Sequence, residues 1–253
     1  MAAGKPTAIF SERNIMITTV LFDLDGTLLP MELDGFLESY FSLLTKKLSA
    51  YGYDPHKLMD GMWEGLMAMI GNDGSRTNEE TFFAAFSKEV GRDARIDLPL
   101  FEDFYLNEFH STRSACGFDP KAVEVLAAVK AKGLRVVLAT NPIYPAIATE
   151  SRIRWAGFEP DDFELYTTYE HFSHSKPNPA YYQDILDKLD LRPEECLMVG
   201  NDAQEDMAAK ELGIHVFLLP RYLINRHNLD ISSYPQGNFE DLLQYIDKLQ
   251  KMD

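Results

Sequence analysis

Two aspartates one residue apart, Asp23 and Asp25, run directly into Gly26 and Thr27, so the segment D-L-D-G-T holds two carboxylates and a glycine turn. Paired carboxylates can divide labour. One attacks as a nucleophile while the other donates and accepts protons, and either can hold a hard, oxygen-seeking cation. The same spacing opens a helix–loop–helix calcium site, but that loop needs glycine at its sixth position and glutamate at its twelfth. Leu28 and Asp34 stand there, and the calcium reading fails. Three later segments bring further polar groups: Thr140-Asn141, Lys176-Pro177, and Gly200-Asn201-Asp202 with Asp206 four residues beyond. If Asp23, Asp25, Asp202 and Asp206 converged on one site, each like pair about 4 Å apart would cost about 4 kcal/mol at an effective dielectric near 20. A divalent cation together with Lys176 removes most of that repulsion, and Mg²⁺ suits carboxylate, carbonyl and phosphate oxygens.

These segments are expected at strand ends. Met16–Phe22 is apolar and β-branched, as a parallel strand buried on both faces should be, and Asp23 follows it. A helix over Lys121–Gly133 feeds a strand over Leu134–Thr140. Further on, the pattern predicts a helix over Pro145–Gly157, a short strand over Phe163–Thr167 and a helix over Pro179–Leu189. It closes with a strand over Cys196–Gly200, a helix over Ala203–Leu212 and a strand over Ile214–Leu219. This alternation predicts an α/β fold whose mostly parallel sheet is covered on both faces, and ligands bind such sheets at the carboxyl ends of the strands.

The alternation lapses between the first and second strands. Glu32–Ala50, Pro55–Ile70, a segment opened by a Thr77-x-x-Glu80 capping box, and Leu98–Phe109 all read as amphipathic helices. We therefore expect residues 30–115 to form an all-helical domain inserted into an α/β core made of 1–29 and 116–253. Met59, Met62, Met67 and Met69 with Trp63 are expected to pack inside it. The histidines His171 and His174 ahead of Lys176 are expected to be solvated, while Arg76, on the loop before the third helix, is either solvated or in reach of an anionic group of a substrate.

The chain's 40 acidic against 24 basic residues give a net charge of −16 with no basic cluster, which argues against a nucleic-acid partner. No apolar run approaches a membrane span. Residues 1–14 lack the continuous apolar stretch of a secretory signal and read as a short extension. Two isolated cysteines, Cys116 and Cys196, fit a reducing, cytoplasmic compartment.

In their order and chemistry the four segments resemble the motifs of the haloacid dehalogenase superfamily, and the resemblance spans nearly the whole chain. It implies a three-layer, Rossmann-like core with a helical cap, and Mg²⁺-dependent hydrolysis of a small phosphorylated metabolite through an aspartyl-phosphate. By position, Asp23 would be the nucleophile and Asp25 the general acid and base. Thr140, with Asn141 beside it, would hold a phosphate oxygen, and Lys176 would neutralise nucleophile and phosphate. Asp23, the main-chain carbonyl of Asp25 and Asp202 would hold the metal. Asn201 separates Gly200 from Asp202, a departure from the family's Gly-Asp. Asn201 could add to the metal site, and Asp206 could bind the metal directly, act through water, or pair with lysine. An acid at position 25 points to phosphomonoester hydrolysis or phosphomutase transfer, and Thr27 favours the former. A regulatory phosphoacceptor is the alternative from another class. Receiver domains also combine paired acids, a threonine and a lysine around Mg²⁺, but lack an insertion of about 85 residues.

Overall fold

The computed structural model describes residues 16–250, and the extension expected at 1–14 lies outside the described residues. Five parallel strands form one sheet in the order β3-β2-β1-β4-β5. They are β1 (Thr19–Phe22), β2 (Arg135–Leu138), β3 (Leu165–Tyr166), β4 (Cys196–Gly200) and β5 (His215–Leu218). Between β1 and β2 lie α1 (Leu33–Ser49), α2 (Pro55–Ile70), α3 (Asn78–Val90), α4 (Leu98–Leu106) and α5 (Pro120–Ala131). α6 (Ala146–Trp155), α7 (Pro179–Leu189) and α8 (Phe239–Leu249) follow.

β1 and β4 are buried along their whole lengths, which is why they read as uninterrupted apolar runs. The two-residue pleat sorts their side chains into two layers. Val20, Phe22, Val136, Leu138, Leu197 and Val199 join one cluster with Val125 of α5, Ile153 of α6 and Ile246 of α8. Leu21, Val137, Cys196 and Met198 join the other with Tyr181 and Ile185 of α7. The result is the three-layer α/β core with a parallel sheet that the alternation predicts.

The segment 33–115 is helical, its α-helices joined by 3₁₀ turns at Ala94–Asp97 and Glu108–Ala115. Aromatic rings fill its interior. Phe82 stacks on Phe86 at 5.4 Å, Phe83 meets Phe101 edge-on at 5.6 Å, and Tyr40 meets Phe104 at 5.9 Å. The Thr77 and Glu80 capping box forms in both directions, each bond 3.2 Å.

Of the residues expected inside, Met69 is buried and Met62 packs against the core, while Met59, Met67 and Trp63 are a correction. The packed face of α2 is Leu58, Gly61, Gly65 and Met69, while Met59, Trp63 and Met67 are 38%, 61% and 44% exposed. α3 approaches so closely that β-carbons on Gly61 and Gly65 would stand 3.0 and 2.4 Å from the rings of Phe86 and Phe82. Only glycines admit those rings, so the bulky residues face outward. Two helix boundaries also differ from expectation. Over Ala203–Leu212 only a 3₁₀ turn at Met207–Leu212 forms, although the Asp202 carboxylate accepts from the amides of Gln204 and Glu205 as an N-cap would. α4 stops at Leu106, where the Asn107 side chain bonds back to the Asp103 carbonyl at 2.9 Å.

Candidate active site

Asp23 sits at the end of the central strand. Its amide donates to the Val199 carbonyl at 2.9 Å, and the Ala139 amide donates to the Phe22 carbonyl at 2.7 Å, so both neighbouring strands fix its backbone. The chain then turns sharply at Gly26, whose φ of 80° lies in the left-handed region. Gly26 is required twice over, because a β-carbon there would fall 2.4 Å from the amide nitrogen of Asn201. That amide donates to the Tyr222 carbonyl at 2.7 Å, and its oxygen accepts the Thr27 hydroxyl at 2.9 Å. With both ends of its amide engaged, Asn201 braces the turn of the first motif.

Lys176, 1% exposed, lies between two carboxylates, 2.9 Å from Asp23 Oδ1 and 2.6 Å from Asp206 Oδ1. The other oxygen of Asp206 accepts the Asp202 amide at 2.9 Å. Gly200 makes room for this arrangement, since a β-carbon there would stand 2.0 Å from Asp206 Oδ2. Of the roles open to Asp206, lysine pairing is the one its contacts describe. Asp202 directs Oδ1 to the amides of Gln204 and Glu205 at 2.7 and 2.8 Å.

The second motif is tied into the same cluster. Thr140 is buried, and its carbonyl accepts the hydroxyls of Thr167 and Tyr181. Asn141 accepts the Lys176 amide at 3.2 Å and donates to Glu205 Oε2 at 3.0 Å. Thus Asp23, Thr140, Asn141, Lys176, Asp202 and Asp206 belong to one network of contacts at the carboxyl edge of the sheet.

Asp25 has a partner that sequence reasoning missed. Its Oδ2 meets the guanidinium of Arg152, a residue of α6 that is 1% exposed, and its Oδ1 is buried with no hydrogen-bond partner among the described residues. Two further residues were missed. Glu205 stands beside Asp202, and the run of acids in N-D-A-Q-E-D carried a signal for it. Asn78, fully buried at the start of α3, ties the helical segment to both polar loops. Its side-chain amide donates to the Pro142 carbonyl at 3.0 Å, to Ser175 Oγ at 3.0 Å and to the His174 carbonyl at 3.3 Å. Its backbone amide donates to the Phe172 carbonyl at 2.8 Å. Nothing in the sequence marks it. His171 is exposed as expected and Arg76 is exposed too, whereas His174 is not free in solvent, its Nδ1 lying 2.8 Å from Asp184 Oδ2.

The electrostatics show a deficit of positive charge. Asp23, Asp25, Asp202, Glu205 and Asp206 share Lys176 and Arg152. Burial pushes Glu205 up to about 8 and Asp206 up to about 7, in both cases against the pull of Lys176. Burial also raises Asp25, opposed chiefly by Arg152. For Lys176, burial acts downward but Asp206 and Asp23 outweigh it, and the ammonium is held well above its ordinary value. Among the described residues no three His, Cys, Asp or Glu side chains form a ready-made metal cage. The oxygens left over after the protein contacts, on Asp23 and Asp202, are hard donors of the kind that suit Mg²⁺, so residues and cation fit.

Comparison with known proteins bears on this site. Residues 17–213 match the family model described as haloacid dehalogenase-like hydrolase. A phosphoglycolate phosphatase from Vibrio vulnificus (strain YJ016) is 29% identical over 231 residues, covering 91% of this chain and 95% of that protein. Pyrophosphatase PpaX from Bacillus mycoides is 23% identical, covering 92% of this chain and 98% of its own. Among solved structures, a HAD phosphatase from Thermococcus onnurineus superposes with a TM-score of 0.58 at 19% identity, over 91% of this chain and 98% of that one. With the family model matching well over half of its length, the chain belongs to the haloacid dehalogenase-like hydrolases.

Proposed function

We propose that this hydrolase is a Mg²⁺-dependent phosphatase that cleaves a small phosphomonoester through phosphorylation of Asp23. The observation that carries the reading is the Asp23 carboxylate, fixed at the end of β1 with one oxygen on the buried Lys176 at 2.9 Å. Strand pairing positions the nucleophile in advance, so attack on a bound phosphate is effectively intramolecular. Lys176 offsets charge on nucleophile and phosphate, and Thr140 supplies a hydroxyl for a phosphate oxygen. Asp25 protonates the departing alkoxide and later takes a proton from water. Asp23, Asp202 and the Asp25 carbonyl would hold Mg²⁺, which when bound offsets the excess carboxylate charge and polarises the phosphate. Asp206 serves through Lys176 rather than as a ligand.

The helical segment 30–115 acts as a cap over the site, supported by Asn78 bridging to the loops that carry Asn141 and Lys176. The relatives named for phosphoglycolate and pyrophosphate favour a small, strongly anionic ester. The two cysteines are free, which supports a reducing, cytoplasmic setting. No helix among the described residues is long and apolar enough to cross a membrane. The test is hydrolysis of nitrophenyl phosphate, which should require Mg²⁺, stop in excess chelator, resume on adding metal, and vanish in Asp23→Asn. Turnover that survives chelator, or that survives in Asp23→Asn, overturns the reading.

A further inference from the structure

A fully buried arginine needs a reason, because its charge must be compensated where water cannot reach. Arg152 extends from α6 and is 1% exposed. Its partners are unequal. Nε reaches the Ala148 carbonyl at 3.4 Å and one Nη reaches Thr149 Oγ1 at 3.3 Å, both at the long limit of a hydrogen bond. The other Nη makes close contact with Asp25 Oδ2, the sole carboxylate paired with it among the described residues. The guanidinium is therefore organised around Asp25.

On the other side it lies over the ring of Tyr144, 4.4 Å from the centroid. Tyr144 in turn meets Tyr40 and Phe36 of α1 edge-on, at 5.7 and 6.5 Å, and the Tyr40 hydroxyl bonds that of Tyr105 at 2.9 Å. The aromatic base of the helical segment thus packs behind the arginine and limits its freedom. Meanwhile the Asp25 side chain is 25% exposed, while its buried Oδ1 has no hydrogen-bond partner among the described residues.

We propose that Arg152 is the positioning residue for the general acid and base. It grips Oδ2 of Asp25 and so fixes the orientation of the carboxyl group that exchanges protons with substrate. This rests on the phosphatase reading above. In the first half-reaction Asp23 bonds to phosphorus as the ester P–O bond breaks, and the proton on Asp25 passes to the leaving alkoxide. In the second, water bonds to phosphorus as the Asp23–phosphate bond breaks, and its proton returns to Asp25. Arg152 itself gives up nothing. It restrains the rotation of the carboxyl group while the proton passes.

A residue that acts only through Asp25 must lose its influence when Asp25 can no longer carry a proton. The experiment compares an alkyl phosphate, which needs protonation of its leaving group, with nitrophenyl phosphate, whose phenolate leaves unaided. Arg152→Met should lower kcat for the alkyl ester by about 10²-fold or more, the scale of general acid catalysis. It should leave the rapid nitrophenolate burst intact and change the burst rate of Asp25→Asn by no more than about twofold. Arg152→Lys, which keeps the charge without the fork, should show the same selectivity with a smaller loss, and added guanidinium should partly restore Arg152→Ala. Equal losses for both esters, or a full Arg152 effect within Asp25→Asn, would make the arginine a structural ion pair and overturn the proposal. If Arg152→Met does not fold, Arg152→Lys decides by the same ratio. Failure of the phosphatase reading would be visible separately, as absence of Asp23-dependent turnover in the parent protein.

Discussion

Replacing Lys176 by methionine removes one positive charge from a place where two carboxylates depend on it. Its ammonium donates to Asp23 Oδ1 and Asp206 Oδ1, at 2.9 and 2.6 Å, and both Lys176 and Asp206 are 1% exposed. Breaking a buried pair by deleting one partner costs about 3–5 kcal/mol, because the surviving charge is left uncompensated. For a chain of this size each kcal/mol moves the melting temperature by about 2–4 °C, so the loss should be about 6–20 °C. The pH dependence gives a sharper test. Asp206 is raised in the fold to about 7, so it contributes stability by taking up a proton below that value, and the contribution is lost as pH rises through about 7. Without Lys176 the same proton is the only relief available. Thermal unfolding without divalent metal should therefore show a small deficit for Lys176→Met near pH 5.5 and the full deficit near pH 8.5. Adding Asp206→Asn should recover much of the loss at pH 8.5, since an asparagine oxygen still accepts the Asp202 amide. A deficit equal at both pH values, or no recovery in the double variant, would refute the account of this pair. Turnover should be lost in either case.

Two other substitutions test how the site is held. Gly26→Ala must adopt a left-handed backbone at about 1–2 kcal/mol and also displace the Asn201 amide, whereas Gly91→Ala, at a similar φ of 74° with open space around it, bears only the backbone cost. Melting temperatures should fall further for Gly26→Ala, and only that variant should lose turnover; equal losses would deny the Asn201 brace. Asn78→Ala strands the groups that its amide joins, at about 1–3 kcal/mol, and should speed hydrogen exchange in the 172–175 loop while slowing turnover of every ester. Unchanged exchange there would mean the helical segment is held by its apolar contacts instead.

The sheet was legible because a parallel strand buried on both faces must be apolar at every position, as in β1 and β4. Strand ends were legible for the complementary reason: a carboxylate or lysine directly after such a run has few uses other than a ligand site. What escaped was whatever depended on shape. The sequence weighted Met59, Trp63 and Met67 by their hydrophobicity, while α2 packs through Gly61 and Gly65, whose value lies in what they omit. Asn201 stood in a metal-binding motif, and its amide instead serves the turn that it abuts. α8, outside the alternation that the sequence suggested, begins with an Asn238 and Asp241 capping box of the same type recognised at Thr77.

Arg152 illustrates a deeper limit. In A-I-A-T-E-S-R-I-R-W its neighbour Arg154 has the same charge two residues on, yet Arg154 is exposed and pairs with Glu150 and Glu159, while Arg152 is buried against Asp25, 127 residues away. Helical phase alone separates the two, and the chemical meaning comes from what α6 faces. The two acids of the first motif are consequently placed by different means. Backbone pairing to β2 and β4 fixes Asp23, as suits a group that must meet phosphorus along one line. Beyond the strand, Asp25 depends on a side-chain contact backed by Tyr144 and the rings of α1. The group that bonds to phosphorus is thus held by the backbone, and the group that moves protons by one side-chain contact. Damage to the packing around Tyr40 and Tyr144 therefore reaches the proton step before it reaches the nucleophile.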